Sequence, residues 1–426
     1  MIGIYDLTRG ETPEIFDRTA EAAQVTETVA AILGRVKSEG DAAVLEYELR
    51  FDRAEMTAPE IPAEDWEAGA AAVEADFVAI LQEAADNIRA FHAKQLREGF
   101  ETRREDGVVL GQCVRPLQRV GIYVPGGTAA YPSTVLMNAI PAKLAGVEEV
   151  VMTTPPGPDG KIAPAILAAA KIAGVDRIFR MGGAQAVGAL AYGTESVPKV
   201  DKIVGPGNCF VAEAKRQVYG IVDIDMIAGP SEILVIADGA SNPAFVAADL
   251  LSQAEHDRMA SAVLVTDSAD LAAAVSAELE RQIPLLSRAD IARESIDRRG
   301  RILITSDIAA AVEMANELAP EHLEICTEDP FRWLPTVKNA GSVFLGRWCP
   351  EALGDYFAGP NHTLPTSGTA RFASPLSVDD FIKKYSYTYY TKDALGAVYE
   401  KIGRFADREG LGAHAKSVRI RFEEEK

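Results

Sequence analysis

The sequence predicts an α/β protein, with two Rossmann-like parallel-sheet domains and additional helical segments at its N- and C-terminal ends. From Val108 onward, short β-branched runs that end in Gly or Pro alternate with Ala-rich helical stretches, a pattern typical of βαβ units and a parallel sheet. The segment AKLAGV at Ala142 also recurs as AKIAGV at Ala170. That separation is close to the length of one βαβ unit, roughly 30 residues, so we interpret the repeat as Rossmann-type.

Helices are predicted for both ends of the chain. Apolar residues recur at helical spacing over residues 25–51, where Gly40 and Asp41 mark a break, and again over residues 70–96. Neither stretch carries a motif that indicates chemistry. From about Phe381 onward the pattern again predicts helix.

The predicted strands fall into two series. The first lies at residues 120–124, 150–153, 176–181 and 202–204. The second lies at residues 231–238, 262–266, 301–305, 323–327 and 342–344. Two series indicate two α/β domains, and ligands of such domains are expected in the crevice at the carboxyl ends of the strands.

Composition and charge exclude several classes of protein. The chain has 426 residues, of which 48% are hydrophobic and 25% charged, as in an ordinary folded protein. Its net charge is −20, and an acidic surface repels phosphate backbones and anionic lipids. We therefore expect no nucleic-acid and no membrane partner. No apolar run reaches the ~18 residues of a membrane span, and the N-terminus lacks the apolar core of a signal peptide.

Cysteine and histidine are scarce, with four and five residues. The cysteines lie far apart and form no CxxC pair, which favours reduced thiols in a soluble cytoplasmic enzyme over a disulfide framework. Four histidines lie among polar residues that could bind a metal or transfer a proton, and these are the candidates for chemistry: His256, His322, His362 and His414.

Gln253 and His256 are three residues apart, after the helical run of residues 244–251. Residues at this spacing share a helix face, and an amide oxygen with an imidazole nitrogen can bind a metal such as zinc. A surface helix with polar residues at its end would show the same pattern. HExxH is absent, so the sequence does not support a zincin-type protease.

Glu321 and His322 are adjacent and directly precede a predicted strand. A histidine that titrates near neutral pH and a glutamate in a cleft can act together in proton transfer. The alternative interpretation is a capping Pro-Glu sequence followed by an exposed histidine.

A glycine-rich segment over residues 352–369 contains Asp355, Asn361 and His362. Long polar loops after strands are where binding groups concentrate. Since a loop with only a structural role rarely needs these three residue types together, we interpret the segment as part of a binding site.

Three shorter glycine segments follow strands of the first series: Pro125-Gly-Gly127, Gly182-Gly-Ala-Gln185 and Gly205-Pro-Gly-Asn208. They allow the backbone to approach a ligand closely, but none is a complete GxGxxG and none is a P-loop. Tyr123, at the end of a strand, could stack on a base or a nicotinamide, or pack on its own sheet. Without further comparison these residues predict a metal-dependent α/β enzyme of undefined substrate.

Together, these segments resemble one family closely, the histidinol dehydrogenases. The similarity extends through nearly the whole chain and rests on long motifs in the same order: RVGIYVPGG from Arg119, GGAQA from Gly182, GPGN from Gly205, DMIAGPSE from Asp225, LLSQAEHD from Leu250, APEHL from Ala319, GDY from Gly354 and GPNH from Gly359. The resemblance implies an NAD-dependent, four-electron oxidation of L-histidinol to L-histidine through L-histidinal, the last steps of histidine biosynthesis.

The resemblance also implies a metal and a catalytic pair. One Zn per subunit is expected on four ligands, Gln253, His256, Asp355 and His414. None of them is a thiolate, as suits a metal that also holds substrate. Glu321 and His322 are expected to be the proton-transfer pair. The family uses no cysteine nucleophile, so Cys209 is not expected to be catalytic.

Binding residues follow from the same resemblance. The NAD contacts are expected to be Tyr123, Gln185 and Asn208. The substrate contacts are expected to be Ser231, Gln253, His256, His322, Asp355, His362, Glu409 and His414.

The implied domains are an N-terminal segment (1–21), an α/β domain with most catalytic and zinc residues (22–122 with 232–378), a Rossmann-like NAD-binding domain (123–231) and a C-terminal helical tail (379–426). In the family this tail crosses to a partner chain. We therefore expect a homodimer with active sites shared between protomers, which the C-terminal position of Glu409 and His414 fits.

Two other functions have the same residue types. The first is a paralogous zinc-dependent NAD dehydrogenase for another small alcohol, such as a sulfonated diol; the intact context of His362 and Glu409 favours histidinol instead. The second is a zinc hydrolase, in which metal-bound water attacks an amide. It predicts that no dinucleotide binds.

Overall fold

The structure is a computed structural model that describes residues 1–11, 13–16, 22–126 and 130–423. Gly127, the last residue of one predicted glycine motif, lies outside the described residues, as does part of the predicted segment 1–21. The strands, in chain order, are β1 Gly3–Asp6, β2 Phe100–Arg103, β3 Val109–Pro116, β4 Arg119–Tyr123, β5 Glu149–Thr154, β6 Arg177–Arg180, β7 Lys202–Val204, β8 Asp223–Ile224, β9 Glu232–Ala237, β10 Ser261–Thr266, β11 Arg301–Ile304, β12 His322–Cys326, β13 Ser342–Leu345 and β14 Ile382–Tyr389.

The α-helices, in chain order, are α1 Ala22–Glu39, α2 Asp41–Phe51, α3 Ala63–Ala70, α4 Ala75–His92, α5 Pro132–Ala145, α6 Pro164–Ala173, α7 Gly183–Tyr192, α8 Cys209–Val218, α9 Pro243–Ala254, α10 Ala269–Gln282, α11 Ala289–Arg299, α12 Ile308–Leu318, α13 Glu351–Tyr356, α14 Lys392–Gly396, α15 Tyr399–Arg408 and α16 Gly412–Arg419. The predicted helix break at Gly40 is confirmed, since α1 and α2 meet there. The repeated AKLAGV and AKIAGV segments end helices α5 and α6 just before β5 and β6.

The chain divides into two compact units. The first combines Met1–Gln95 with Leu117–Phe381, and the second combines Leu96–Pro116 with Ile382–Lys426. Within the described residues, the first unit holds a five-stranded parallel sheet, order β6-β5-β4-β7-β8, and a six-stranded parallel sheet, order β1-β11-β10-β9-β12-β13. The predicted α/β class with two parallel sheets is confirmed, while the predicted domain boundaries stay a prediction.

Helices cover both faces of the five-stranded sheet. Ile122 and Met152 point to the face covered by α4, α5 and α6. Tyr123 and Val151, their neighbours in sequence, point to the opposite face, which α1, α2, α7 and α8 cover. Because both faces are buried, the strands are continuous apolar runs without polar alternation, and this is why they are visible in the sequence.

The six-stranded sheet is built in the same way. Ile233 and Val235 pack with α9, α10 and α11. Leu234 and Ile236 pack on the other face with α12. The alternation of β9 side chains between two apolar layers follows from the two-residue period of a strand.

The second unit contains an antiparallel sheet, which the sequence analysis did not predict. Its order is β14-β3-β2, and β14 pairs with β3 from Ile382 opposite Pro116 to Tyr389 opposite Val109. The prediction of helix from about Phe381 is therefore wrong for residues 382–389 and holds only from Lys392 onward. Most β14 side chains are exposed, so the strand lacks the apolar pattern that marks a buried one.

No helix of the described residues is long and apolar enough to cross a membrane. The four cysteines are free, as the sequence analysis expects.

Candidate active site

Glu321 and His322 lie where β12 begins, beside the first residue of β9. His322 is opposite Ile233 in the register of these two strands. Helix α9 starts after the carboxyl end of β9 and runs back, so its last turn brings Gln253 to the same edge of the sheet. The expected site residues Gln253, Glu321 and His322 therefore gather at the amino ends of β9 and β12, and not at the carboxyl ends, where the sequence analysis expects ligands.

The hydrogen bond of His322 defines its tautomer. Its Nδ1 lies 3.1 Å from the carbonyl oxygen of Glu232, and a carbonyl can only accept, so Nδ1 carries the proton. Nε2 is buried and has no hydrogen-bond partner among the described residues. In the neutral ring this nitrogen keeps its lone pair and is ready to accept a proton.

Glu321 is buried beside this ring. Its Oε2 accepts a hydrogen bond of 2.9 Å from the main-chain N–H of Glu232 and lies 3.8 Å from His322 Nδ1. Burial raises the pKa of Glu321 to about 8, against the opposing effect of His322 and of the N–H donor. A carboxyl group that titrates near neutral pH is suited to general base catalysis. The alternative of an exposed histidine is excluded, since His322 is 4% exposed.

Glu351 is a site residue that the sequence analysis missed. It starts helix α13, is buried, and places Oε1 3.7 Å from His322 Nε2. Its Oε2 accepts a hydrogen bond of 2.8 Å from the hydroxyl of Ser252. Burial, together with Asp355, raises the pKa of Glu351 to about 8. Glu351 directly precedes the glycine-rich segment of residues 352–369 and looks in the sequence like an ordinary acidic residue.

Behind Glu351 lies a second buried acidic group. Glu324 Oε1 accepts a hydrogen bond of 2.8 Å from the main-chain N–H of Glu351, and Glu324, Asp249 and Cys326 bring their side chains together. Burial and Asp249 hold the pKa of Glu324 well above its usual range. This cluster supports the start of helix α13, and through it the position of Glu351.

Gln253 and His256 do not share a helix face, contrary to the sequence analysis. Helix α9 ends at Ala254, and His256 lies in the following turn, where its N–H donates to the Gln253 carbonyl over 3.1 Å. The Gln253 side chain is buried, and its Oε1 has no donor among the described residues. Burial lowers the pKa of His256. The nearby Asp355 raises this pKa, and the nearby His322 lowers it further. His256 therefore lies in the electrostatic field of both residues.

Asp355 and His362 form the other side of the site. Asp355 is on the short helix α13 instead of the expected loop, and its carbonyl oxygen accepts a hydrogen bond of 3.1 Å from His362 Nδ1. Burial lowers the pKa of His362, and Asp355 opposes this effect. Ser231 directly precedes β9 and is half-buried. The structure thus brings Ser231, Gln253, His256, Glu321, His322, Asp355 and His362 into the first unit.

Glu409 and His414 belong to the second unit. Glu409 follows the end of helix α15, and His414 lies on helix α16. Both side chains are exposed.

Three of the expected zinc ligands in the first unit have the donor chemistry of a zinc site. The unpartnered Gln253 Oε1, the His256 ring and the Asp355 carboxylate are nitrogen and oxygen donors of the kind that zinc binds. Leaving a buried acceptor unsatisfied costs roughly 1–3 kcal/mol, so an orphaned side-chain oxygen requires an explanation. A cation at this position would supply one.

The residues expected to contact NAD lie at the carboxyl edge of the five-stranded sheet. Asn208 is exposed and caps helix α8, accepting hydrogen bonds from the N–H groups of Phe210 and Val211. Tyr123 and Gln185 are buried instead, with 4% and 1% of their surface exposed. The Tyr123 hydroxyl accepts a 3.1 Å hydrogen bond from the Gly183 N–H, so it supports the turn before helix α7.

Gly205 has structural reasons to be glycine. Its φ is +112°, a conformation that other residues rarely adopt. A Cβ at this position would lie 2.1 Å from the Tyr123 carbonyl oxygen. The buried ion pair of Lys215 and Asp225 also contacts the Gly205 backbone. Lys215 Nζ donates a hydrogen bond of 3.0 Å to the Gly205 carbonyl oxygen. The Gly205 N–H donates a hydrogen bond of 2.7 Å to Asp225 Oδ2.

Comparison with known proteins identifies the family. The pattern of the family described as histidinol dehydrogenase matches residues 16–422. The chain belongs to the histidinol dehydrogenase family. It is 56% identical to the histidinol dehydrogenase of Clostridium acetobutylicum over 94% of this chain and 93% of that protein. It is 57% identical to the histidinol dehydrogenase of Syntrophotalea carbinolica over 98% of this chain and 95% of that protein.

The fold agrees with a solved member of the family. The crystal structure of histidinol dehydrogenase from Elizabethkingia anophelis matches with a TM-score of 0.91 and 38% identity, covering 99% of this chain and 98% of that chain. The predicted resemblance is confirmed, and the chain is an oxidoreductase of the histidinol dehydrogenase family. The comparisons favour neither the hydrolase nor the paralogous dehydrogenase.

Proposed function

We propose that this chain catalyses the NAD-dependent oxidation of L-histidinol to L-histidine through L-histidinal, the last steps of histidine biosynthesis, in the cytoplasm. The observation that carries the proposal is the buried pair of Glu321 and His322, in which a free imidazole nitrogen and a carboxyl group with a pKa of about 8 share one site. Four free cysteines fit a reducing compartment.

His322 accepts and returns protons in both oxidation steps. Because its Nδ1 is committed to the Glu232 carbonyl, Nε2 takes the proton of the substrate hydroxyl. When bound, NAD supplies the acceptor for the hydride that leaves the same carbon in each of the two oxidations. Glu351, 3.7 Å from Nε2, stabilises the imidazolium ion that forms.

Glu321 serves the second oxidation. The aldehyde must be hydrated before it can lose a second hydride, and Glu321 in its ionised form removes a proton from the attacking water. The Glu232 N–H fixes the orientation of this carboxylate through Oε2. A buried site retains the reactive aldehyde between the two steps, which explains why one site performs both.

Four side chains would hold one Zn per subunit: Gln253, His256, Asp355 and His414. When bound, zinc supplies orientation, since it can hold the imidazole and the amino group of the substrate. Ser231, His362 and Glu409 complete the substrate site, together with His322 and the zinc ligands. His362 is oriented for this purpose by the Asp355 carbonyl.

Tyr123, Gln185 and Asn208 would hold NAD at the carboxyl edge of the five-stranded sheet. A cavity of about 1150 Å³ opens at the same edge; Gly126, Pro155 and Arg180 are among its lining residues, whereas Tyr123, Gln185 and Asn208 lie outside its lining. The starts of helices α7 and α8 face the same edge, where the helix dipoles favour a negatively charged ligand.

The exposed positions of Glu409 and His414 in the second unit support a homodimer with shared active sites. In such a dimer, the second unit of each chain completes the site of its partner. Mixing Glu321→Gln and His414→Ala dimers tests this idea with histidinal oxidation as the readout, because subunit exchange restores one intact site per heterodimer. Histidinal oxidation that does not rise after exchange would exclude shared sites.

The experiment that tests the reaction counts NADH formed per L-histidinol consumed, before and after the metal is stripped with a chelator. Two NADH per substrate, lost on stripping and restored by zinc, is the expected result. A folded, zinc-loaded protein that forms no NADH from histidinol would contradict the proposal and point to another alcohol.

A further inference from the structure

Glu48 is a buried carboxyl group in a region without a chemical motif. It lies on helix α2 and has no exposed surface. Its Oε1 accepts two hydrogen bonds, 3.0 Å from the Gly182 N–H and 2.8 Å from Gln185 Nε2. Gly182 is 134 residues away in sequence, so Glu48 links the N-terminal helices to the turn that begins helix α7.

This turn depends on side chains from other elements. The first N–H groups of a helix have no partner within the helix. Here Glu48 accepts a hydrogen bond from the Gly182 N–H, and the Tyr123 hydroxyl accepts one from the Gly183 N–H. Gly183 has φ +57°, and a Cβ there would lie 2.8 Å from Gln185 Oε1. Glycine, Tyr123 and Glu48 together therefore define one conformation of the turn.

Glu48 also sets the orientation of Gln185. A glutamine amide has a donor end and an acceptor end, and the bond from Nε2 to Glu48 commits the donor end to the protein. Gln185 Oε1 is thereby directed away from Glu48. Without this bond the amide could rotate, and a buried donor would be left unsatisfied.

Glu48 interacts electrostatically with Asp52, a residue of the neighbouring cavity. Glu48 Oε2 has no donor among the described residues. Burial, together with Asp52, raises the pKa of Glu48 to about 8. Asp52 lines the cavity that opens at the carboxyl edge of the five-stranded sheet. A neutral Glu48 keeps its acceptor at Oε1 without adding a full negative charge beside this cavity.

We propose that Glu48 is a positioning residue for dinucleotide binding, which acts by holding Gln185 and the Gly182–Gly183 turn. The inference rests on the proposed role of Gln185 as an NAD contact. In this role Glu48 acts through Gln185 and the turn, without direct contact to substrate or cofactor. Its carbonyl-type acceptor is the feature that matters, so the amide of a glutamine should replace it while an alanine should not.

The experiment compares the metal-loaded wild-type protein with Glu48→Ala, Glu48→Gln and Val44→Ala. Val44 is buried on the same helix, in the apolar cluster that also contains Tyr123 and Ala184, so Val44→Ala controls for loss of packing. NADH binding is measured by fluorescence titration, KM for NAD and for L-histidinol by steady-state kinetics, and stability by thermal unfolding.

Glu48→Ala is expected to weaken NADH binding and raise KM for NAD about tenfold, because the Gln185 amide is then no longer held in one orientation, and the loss of one hydrogen bond corresponds to about that factor. KM for histidinol should change less than twofold, and Glu48→Gln should restore NADH binding to within about threefold of wild type. Val44→Ala should lower the unfolding temperature and leave NADH binding unchanged.

Equal NADH binding by wild type and Glu48→Ala would overturn the inference. So would a Val44→Ala variant that loses NADH affinity as strongly as Glu48→Ala, because the effect would then be general to the helix. If the wild-type protein binds no NADH, the proposed function itself is wrong, and the inference falls with it.

Discussion

His322 donates from Nδ1 to the main-chain carbonyl of Glu232, across 3.1 Å between strands β12 and β9. This bond leaves Nε2 as the nitrogen that can accept a proton. It also ties the ring to the backbone of the neighbouring strand, so the base is oriented by the sheet and not by a flexible side chain. A rigid element of this kind limits the motion of a catalytic group.

Glu351→Gln is expected to lower kcat about tenfold at pH 9, with less effect at pH 7. The carboxylate beside Nε2 stabilises the imidazolium ion, and its pKa of about 8 means that it is mostly ionised only at the higher pH. The measurement is kcat for histidinol at both pH values. Glu313→Gln, the same change at an exposed position, is the control. Equal kcat for Glu351→Gln and wild type at pH 9 would contradict this role.

The rate of histidinal oxidation is expected to rise between pH 7 and pH 9. Glu321 acts as a base in its ionised form, and burial raises its pKa to about 8, so the active form increases as pH passes through that value. Glu321→Gln should lower this step by roughly 10²–10⁴-fold and remove the pH dependence.

The same variant should still oxidise the alcohol, so the yield should approach one NADH per histidinol instead of two. The measurement is a pH–rate profile with histidinal as substrate. A profile that is unchanged in Glu321→Gln would assign the titration to another group.

The sequence predicts the two parallel sheets well, because strands such as β9 are buried on both faces and form continuous apolar runs. It does not predict β14, whose exposed side chains carry no such pattern; this strand depends on pairing with β3. Within the site, Glu321 and His322 are predictable as adjacent polar residues before a strand.

The contacts of Glu48 and Glu351 are not predictable in this way. Glu48 reaches Gln185 across 137 residues of sequence, and Glu351 reaches Ser252 across 99. Each looks like an ordinary surface glutamate of an acidic chain. Only the packing of helices α2 and α13 removes them from water and gives them partners.

Gln253→Leu is expected to lower the zinc content of the protein. The substitution removes the buried Oε1, which has no donor among the described residues, and keeps a similar volume. Gln253→Glu retains an oxygen ligand and serves as the matched control. Metal is measured by elemental analysis after dialysis against a weak chelator. A Gln253→Leu protein that keeps one zinc per chain would remove Gln253 from the ligand set.

The buried ion pair of Lys215 and Asp225 is expected to stabilise the loop that leads to Asn208. Both side chains are almost fully buried. Asp225 accepts a hydrogen bond from the Gly205 N–H, and Lys215 donates one to the Gly205 carbonyl. Lys215→Met leaves Asp225 as an unpaired buried charge, so it should cost about 3–5 kcal/mol in unfolding free energy. Replacing both residues, as Lys215→Met with Asp225→Leu, should cost less than the two single changes added together.

Urea unfolding of the three variants measures this coupling, and NADH titration of the same samples reports on the loop. Lys215→Met should weaken NADH binding, because Gly205 loses its carbonyl partner and Asn208 follows three residues later. If the two single changes add without coupling, the pair does not act as a unit. The Gly205 loop would then owe its conformation to the close approach of Gly205 to the Tyr123 carbonyl.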